Sequence, residues 1–163
     1  MKVWIVHDSK FGNGKQIAEI FGRTFEKDDV KIGHIKSVNP EEIVRDSPDI
    51  LVVGSAIRIF RISGSRKWLE KLQKVLKKFN RKIKYGICFI THARDIDKIS
   101  KHSEKFYQLL SDGDRISNVY PEYLLCQVED IEGPFKTGVV ENAIKFSKSF
   151  HQWIKNNTHQ LCN

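Results

Sequence analysis

Ser9-Lys10-Phe11-Gly12-Asn13-Gly14-Lys15 is a polar, glycine-bearing segment that follows the apolar run Lys2–His7 and leads into residues with helical spacing. The first backbone N–H groups of a helix have no partner inside it, and the helix dipole places positive charge at the same end. Gly12 and Gly14 let the backbone curl round an anion without Cβ collisions. Ser9 and Asn13 add hydrogen-bond donors, and Lys15 adds charge. The chemistry this points to is phosphate binding; an ordinary Asn-Gly turn is the competing reading. The spacing excludes the nucleotide-triphosphate loop G-x-x-x-x-G-K-[ST] and the dinucleotide pattern G-x-G-x-x-G.

Two further segments carry candidate groups. Gly54-Ser55-Ala56-Ile57-Arg58-Ile59-Phe60-Arg61-Ile62-Ser63-Gly64 follows one apolar run, and Thr91-His92-Ala93-Arg94-Asp95 follows another. Arg58, His92 and Arg94 would set positive charge beside a ligand. Solvation, or pairing with Asp95 and Asp97, accounts for them equally well. Phe60 is an aromatic that could stack on a ring or plug a sheet edge. Trp4, Trp68 and Trp153 fall on core-facing positions. His7 and His34 lack partners at metal-ligand spacing and read as structural. Cys88, Cys126 and Cys162 form no C-x-x-C pair, which excludes an iron–sulfur cluster or structural zinc within the chain. No Ser–His–Asp or Cys–His grouping is legible, so no catalytic residue and no metal ligand is assigned.

The elements that must position these loops alternate regularly. Lys2–His7, Val30–Ile35, Asp49–Gly54, Lys84–Ile90 and Tyr120–Val128 read as strands. Lys15–Lys27, a short segment from Pro40, Gly64–Phe79, Asp95–Ser111 and Thr137–Lys155 read as helices. Asn39 is an N-cap ahead of Pro40. Continuous apolar strands separated by helices predict a parallel sheet covered on both faces, with right-handed crossovers. In such sheets ligands bind outside the carboxyl ends of the strands, where the strand order reverses. The loops after the first, third and fourth strands lie there.

The 163 residues suit one domain, and 40% hydrophobic content supports a packed core. No apolar run reaches the roughly 20 residues of a membrane span, and the N-terminus lacks a signal-peptide cleavage site. A cytoplasmic protein is expected. The net charge of +8 favours acidic partners. The basic residues are spread along the chain, densest in Arg66–Lys84 and Arg94–Lys105, and solvated helix faces explain them as readily as a partner does.

The loops themselves resemble those of flavodoxins. Ser9–Ala18 is similar to the phosphate loop S/T-x-T-G-N-T with its following Ile-Ala. Gly54–Gly64 is similar to the family's ring loop G-S-P-T-x-F-G-x-x-S-G. Gly133-Pro134-Phe135-Lys136-Thr137-Gly138 is similar to a G-P-L-x-x-G segment. The resemblance covers nearly the whole chain. It implies a flavodoxin-like three-layer α/β/α sandwich with a five-stranded parallel sheet in the order 2-1-3-4-5. It further implies FMN held by Ser9, Lys10, Phe11, Gly12, Asn13, Gly14, Lys15, Ser55, Ala56, Ile57, Arg58, Ile59, Phe60, Thr91, His92, Ala93 and Arg94. The implied function is electron transfer to a redox protein or to a small-molecule acceptor, the charge of the chain favouring acidic partners; nucleic acid is disfavoured.

The chain departs from the pattern in three places. The phosphate-loop threonines correspond to Phe11 and Gly14, which predicts weakened FMN binding. Ser55-Ala56-Ile57-Arg58 is closer to the ring loop of flavodoxin-like protoporphyrinogen oxidases, although their long late insert is missing. The loop after the fourth strand is basic. An oxidase-like or quinone-linked flavin enzyme, and a binding module that has lost FMN, therefore stand as alternatives.

Overall fold

The computed structural model describes residues 1–58, 62 and 64–160. Six strands and five helices follow one another as β1 (Lys2–His7), α1 (Asn13–Thr24), β2 (Asp29–His34), α2 (Pro40–Asp46), β3 (Ile50–Ala56), α3 (Gly64–Lys78), β4 (Ile83–His92), α4 (Ile96–Ser111), β5 (Ile116–Val119), β6 (Leu124–Gln127) and α5 (Val139–Gln160). The sheet is parallel, in the order β2-β1-β3-β4-β5, and β6 also pairs with β4.

Strand alternation sorts the core into two layers. Trp4, Val6, Leu51, Val53, Cys88 and Ile90 face α2, α3 and α4. Val3, Ile5, Ile50, Val52, Ile87 and Phe89 face α1 and α5. β1, β3 and β4 are covered on both faces, hence their unbroken apolar runs. Asn39 caps α2 as its sequence requires, its Oδ1 accepting from Glu41 N–H at 3.2 Å. Trp4 and Trp68 are core residues: the Trp4 indole donates to Asp46 Oδ2 at 2.7 Å and the Trp68 indole to the Val38 carbonyl at 2.8 Å. Cys88 and Cys126 are buried free thiols, and burial pushes both far up from their ordinary pKa. Cys162 lies outside the described residues.

The sequence predicts one last strand over Tyr120–Val128, whereas the fifth position of the sheet is filled by two short strands. β5 starts earlier, at Ile116, and residues 120–123 interrupt the ladder before β6. Pro121 has no N–H to donate, and the Tyr120 carbonyl is taken by the Tyr107 hydroxyl at 3.0 Å. Ten-residue β4 is long enough to pair with both pieces.

Close packing at Gly54 fixes the middle of the sheet. A Cβ there would lie 2.1 Å from Cζ of Phe89, its register partner on β4. The Phe89 ring instead crosses over the glycine and stacks on Phe21 of α1, with ring centroids 5.9 Å apart. The carboxyl ends of β1, β3, β4 and β6 thereby line up along one edge, with Ala56 opposite Thr91 and His92 opposite Gln127.

Candidate functional site

The loop after β1 is folded by its own side chains. Ser9 Oγ accepts from Gly12 N–H at 3.0 Å. Gly12 is the N-cap of α1 with φ at +96°, a left-handed conformation that glycine adopts freely, and no side chain caps it. The first turn of α1 contains no acidic residue. The first N–H to find an acceptor in the turn is that of Gln16, on Gly12 O at 3.0 Å. The N–H groups ahead of it have no acceptor within the helix, so donors and the positive end of the helix dipole lie together there. Gly14 is tightly placed: a Cβ would sit 3.2 Å from Ser9 Cβ. A side chain at 14 would therefore press on Ser9.

His34, at the end of β2, braces this loop. Its Nδ1 accepts from Lys36 N–H at 3.1 Å, which leaves Nε2–H to donate to the Ser9 carbonyl at 3.2 Å. His7 packs edge-on against it with centroids 5.3 Å apart. The structural reading of His34 is satisfied in full. His7 Nδ1 is buried with no partner, and burial, then the neighbouring His34 and Lys15, hold its pKa below the ordinary value.

The ends of β3 and β4 make the second wall. Ile57 N–H donates to the Thr91 carbonyl at 2.9 Å, and Thr91 Oγ1 donates to the Ser55 carbonyl at 3.3 Å. Arg58 turns back across the sheet edge, its Nη2 lying 3.0 Å from both the carbonyl oxygen and Oδ1 of Asp8. The other Asp8 oxygen, Oδ2, is buried without a partner among the described residues. His92 is buried, and its Nδ1–H donates to the Arg94 carbonyl at 2.7 Å. A carbonyl can only accept, so Nδ1 carries the proton and Nε2 keeps its lone pair in the neutral ring. Burial lowers the pKa of the ring against the opposing hydrogen bond to Arg94, and Lys136 adds to the lowering.

A third wall comes from the segment after β6. Val128 bridges to Phe135, and Glu129 N–H donates to the Pro134 carbonyl at 2.8 Å, forming a small hairpin. Its tip, Ile131, is 58% exposed, and Asn13 Nδ2 ties the Ile131 carbonyl to the first loop at 3.4 Å.

Between these walls lies a cavity of about 350 Å³ with a predominantly apolar lining. Ser9, Lys10, Phe11, Asn13 and Gly14 line it from the first loop. Ala56, Ile57 and Arg58 line it from β3, and Thr91, His92, Ala93 and Arg94 from β4. Gly12 shapes the first loop from behind. Two candidates point elsewhere. The Lys15 side chain is 62% exposed and pairs with Glu19 at 3.8 Å. The Ser55 hydroxyl is buried against Ser65 of α3, 2.6 Å away. Ile59 and Phe60 lie outside the described residues. Val128 and Ile131 line the cavity and escaped the sequence reading; the only signal was the nearby Gly133-Pro134. Asp8, too, was passed over, since its role depends on Arg58 fifty positions away.

The electrostatics differ from the sequence expectation of three cations around a ligand. Arg58 is paired with the buried carboxylate of Asp8, and burial lowers the pKa of His92. Among the described residues no group of three His, Cys, Asp or Glu side chains could hold a metal, and no helix is long and apolar enough to cross a membrane.

An uncapped helix N-terminus beside an apolar cavity fits a ligand with an anionic phosphate at one end and a broad apolar ring at the other. No family model and no curated protein matches the chain by sequence. Solved structures do match it over nearly their full length. Flavodoxin 1 from Bacillus cereus is 15% identical with a TM-score of 0.71, covering 93% of this chain and 98% of its own. A flavodoxin from the domain Archaea is 19% identical with a TM-score of 0.65, covering 95% and 99%. A flavodoxin, WrbA-like protein from Agrobacterium tumefaciens is 13% identical with a TM-score of 0.68, covering 95% and 98%. With the strand order β2-β1-β3-β4-β5, this likeness establishes a flavodoxin-like fold.

Proposed function

We propose that this flavodoxin-like chain binds FMN in the cavity at the carboxyl ends of β1, β3 and β4, and carries electrons between redox partners. The observation that supports this most is one juxtaposition. An uncapped, glycine-bearing helix N-terminus opens beside an apolar cavity of about 350 Å³, at the edge of a sheet whose solved likenesses are named flavodoxins.

FMN, when bound, supplies one- and two-electron chemistry. The protein supplies the rest. The N–H groups at the start of α1, with Ser9 holding Gly12 in place, would hold the phosphate. Ala56, Ile57 and Val128 would meet the ring and exclude water from it. His92 offers an acceptor at Nε2 while its Nδ1–H is engaged by Arg94. The Asp8–Arg58 pair offers guanidinium donors at the cavity wall with little net charge. The acceptor or donor of the electrons would be another redox protein, acidic in character, or a small molecule.

The test is to purify the protein, record its visible absorbance spectrum and identify any chromophore released on denaturation. Stoichiometric FMN is the expected result. A colourless protein that also fails to take up added FMN would refute the proposal.

A further inference from the structure

The outward face of α3 has one sign of charge. Arg66, Lys67, Lys71, Lys74, Lys77 and Lys78 are its exposed residues, and all are cations. The opposite face, Trp68, Leu69, Leu72, Val75 and Leu76, is buried in the core. The one acid on the helix, half-buried Glu70, pairs with Arg66 at 3.0 Å. Lys67, Lys71, Lys74 and Lys77 make no ion pair among the described residues, and Lys78 lies over the exposed Phe79 ring at 5.5 Å.

Stability does not explain this pattern. Lys67–Lys71 and Lys74–Lys78 are spaced i,i+4, where like charges repel and Glu–Lys pairs would stabilise. The flanking helices show the ordinary mixture, with Glu41, Glu42 and Arg45 exposed on α2, and Lys98, Lys101, Glu104 and Lys105 on α4. On α1 the exposed charges, Lys15 and Arg23, are cations too but only two, whereas α3 carries six. α3 begins close to the cavity: Gly64, its first residue, abuts Asp8, whose partner Arg58 lines the cavity.

We infer that the cationic face of α3 docks an acidic protein, guiding it onto the mouth of the cavity. The redox character of that partner rests on the proposed function; the acidity of its surface does not. The face is about 22 Å long at 1.5 Å per residue, within the reach of an ordinary protein interface. Lys67, Lys71 and Lys74, without ion pairs among the described residues, complement a partner surface rich in carboxylates.

Nucleic acid fits less well. α3 is packed between α2 and α4 in one layer, so it forms a broad surface and cannot project into a groove about 12 Å wide. The exposed aromatic beside it, Phe79, stands alone at its far end under Lys78, which is no platform for successive bases. A membrane surface fits less well too, because the apolar face that an interfacial helix buries in lipid is here committed to the protein core.

The test compares two triple variants of the full chain. One is Lys67→Glu with Lys71→Glu and Lys74→Glu on α3. The other is Lys98→Glu with Lys101→Glu and Lys105→Glu on α4, an equal change in net charge. Binding is measured against an acidic [2Fe–2S] ferredoxin, cytochrome c as a basic protein, a short DNA duplex and phosphatidylserine vesicles, at low and high salt. Circular dichroism and FMN content check folding and loading. The expected result is ferredoxin binding by wild type, weakened at least tenfold by the α3 variant and by salt, and less than threefold by the α4 variant. Equal losses in both variants, no ferredoxin binding at low salt, or tighter binding to DNA or vesicles would each overturn the inference. A colourless protein that still binds ferredoxin through α3 would overturn the FMN proposal and leave this one standing.

Discussion

Arg58 Nη2 sits 3.0 Å from the Asp8 carbonyl oxygen and 3.0 Å from Asp8 Oδ1, so one guanidinium joins the end of β3 to the residue that opens the loop between β1 and α1. Asp8 is 4% exposed, and its second carboxylate oxygen has no partner among the described residues. The pair therefore ties the end of β3 to the loop after β1, and the two charges offset one another at the cavity wall.

Replacing Arg58 by Gln leaves that buried carboxylate uncompensated. The expected cost is about 1–3 kcal/mol of stability, read from urea unfolding. In the FMN-loaded protein the potential should fall, because anionic reduced flavin loses a positive neighbour; Asp8→Asn should raise it. A shift of tens of millivolts corresponds to about 1 kcal/mol in a one-electron couple, at roughly 59 mV per tenfold change. Shifts of the same sign in both variants would contradict the charge-pair reading.

Gly14→Thr restores the residue type of the flavodoxin loop, yet it should weaken FMN binding by about tenfold. The new Cβ would stand 3.2 Å from Ser9 Cβ and displace the serine that accepts from Gly12 N–H. Flavin fluorescence titration gives the affinity directly. Tighter binding would mean that the loop has room and that the missing hydroxyl is what limits it.

Gly54→Ala should destabilise the fold by about 2–3 kcal/mol through overpacking, since its Cβ would meet the Phe89 ring at 2.1 Å. Phe89→Leu in the same chain should recover part of that loss, because the smaller side chain vacates the space. The comparison is a double-mutant cycle in urea. Independent, additive effects would rule out the contact as the cause.

Stability should decline as the pH falls through the histidine range. His7, His92 and His151 are all held below the ordinary value of 6.5, with burial the largest cause in each. The unfolded chain takes up protons near that value while the folded chain resists until lower pH. The folded state is thus fully favoured above it and loses ground as acid is added. Melting temperatures at about pH 7.5 and about pH 5.5 check this, and His92→Gln should flatten the dependence. A melting temperature that rises on acidification would contradict the burial of neutral imidazoles.

Much of the fold could be read from local pattern. Apolar runs such as Asp49–Gly54 and amphipathic stretches such as Gly64–Phe79 alternate, and their period is a property of neighbouring residues. The split fifth strand was not legible, because β4 supplies the partners that let β5 and β6 stand in one position of the sheet. Pro121 marked the break only once that shared ladder was known.

At the site, chain order and glycine placement by themselves determined that three loops gather at one sheet edge, with the start of α1 open to an anion. Only the tertiary structure decided what each side chain does there. Ser55 faces α3, and Lys15 reaches toward Glu19. Val128 and Ile131 arrive from the far end of the chain. Arg58 is paired with Asp8, and burial lowers the pKa of His92. The reason is physical: a backbone path follows from local preference and burial pattern, whereas the charge and orientation of a side chain depend on partners that only folding brings within hydrogen-bond distance.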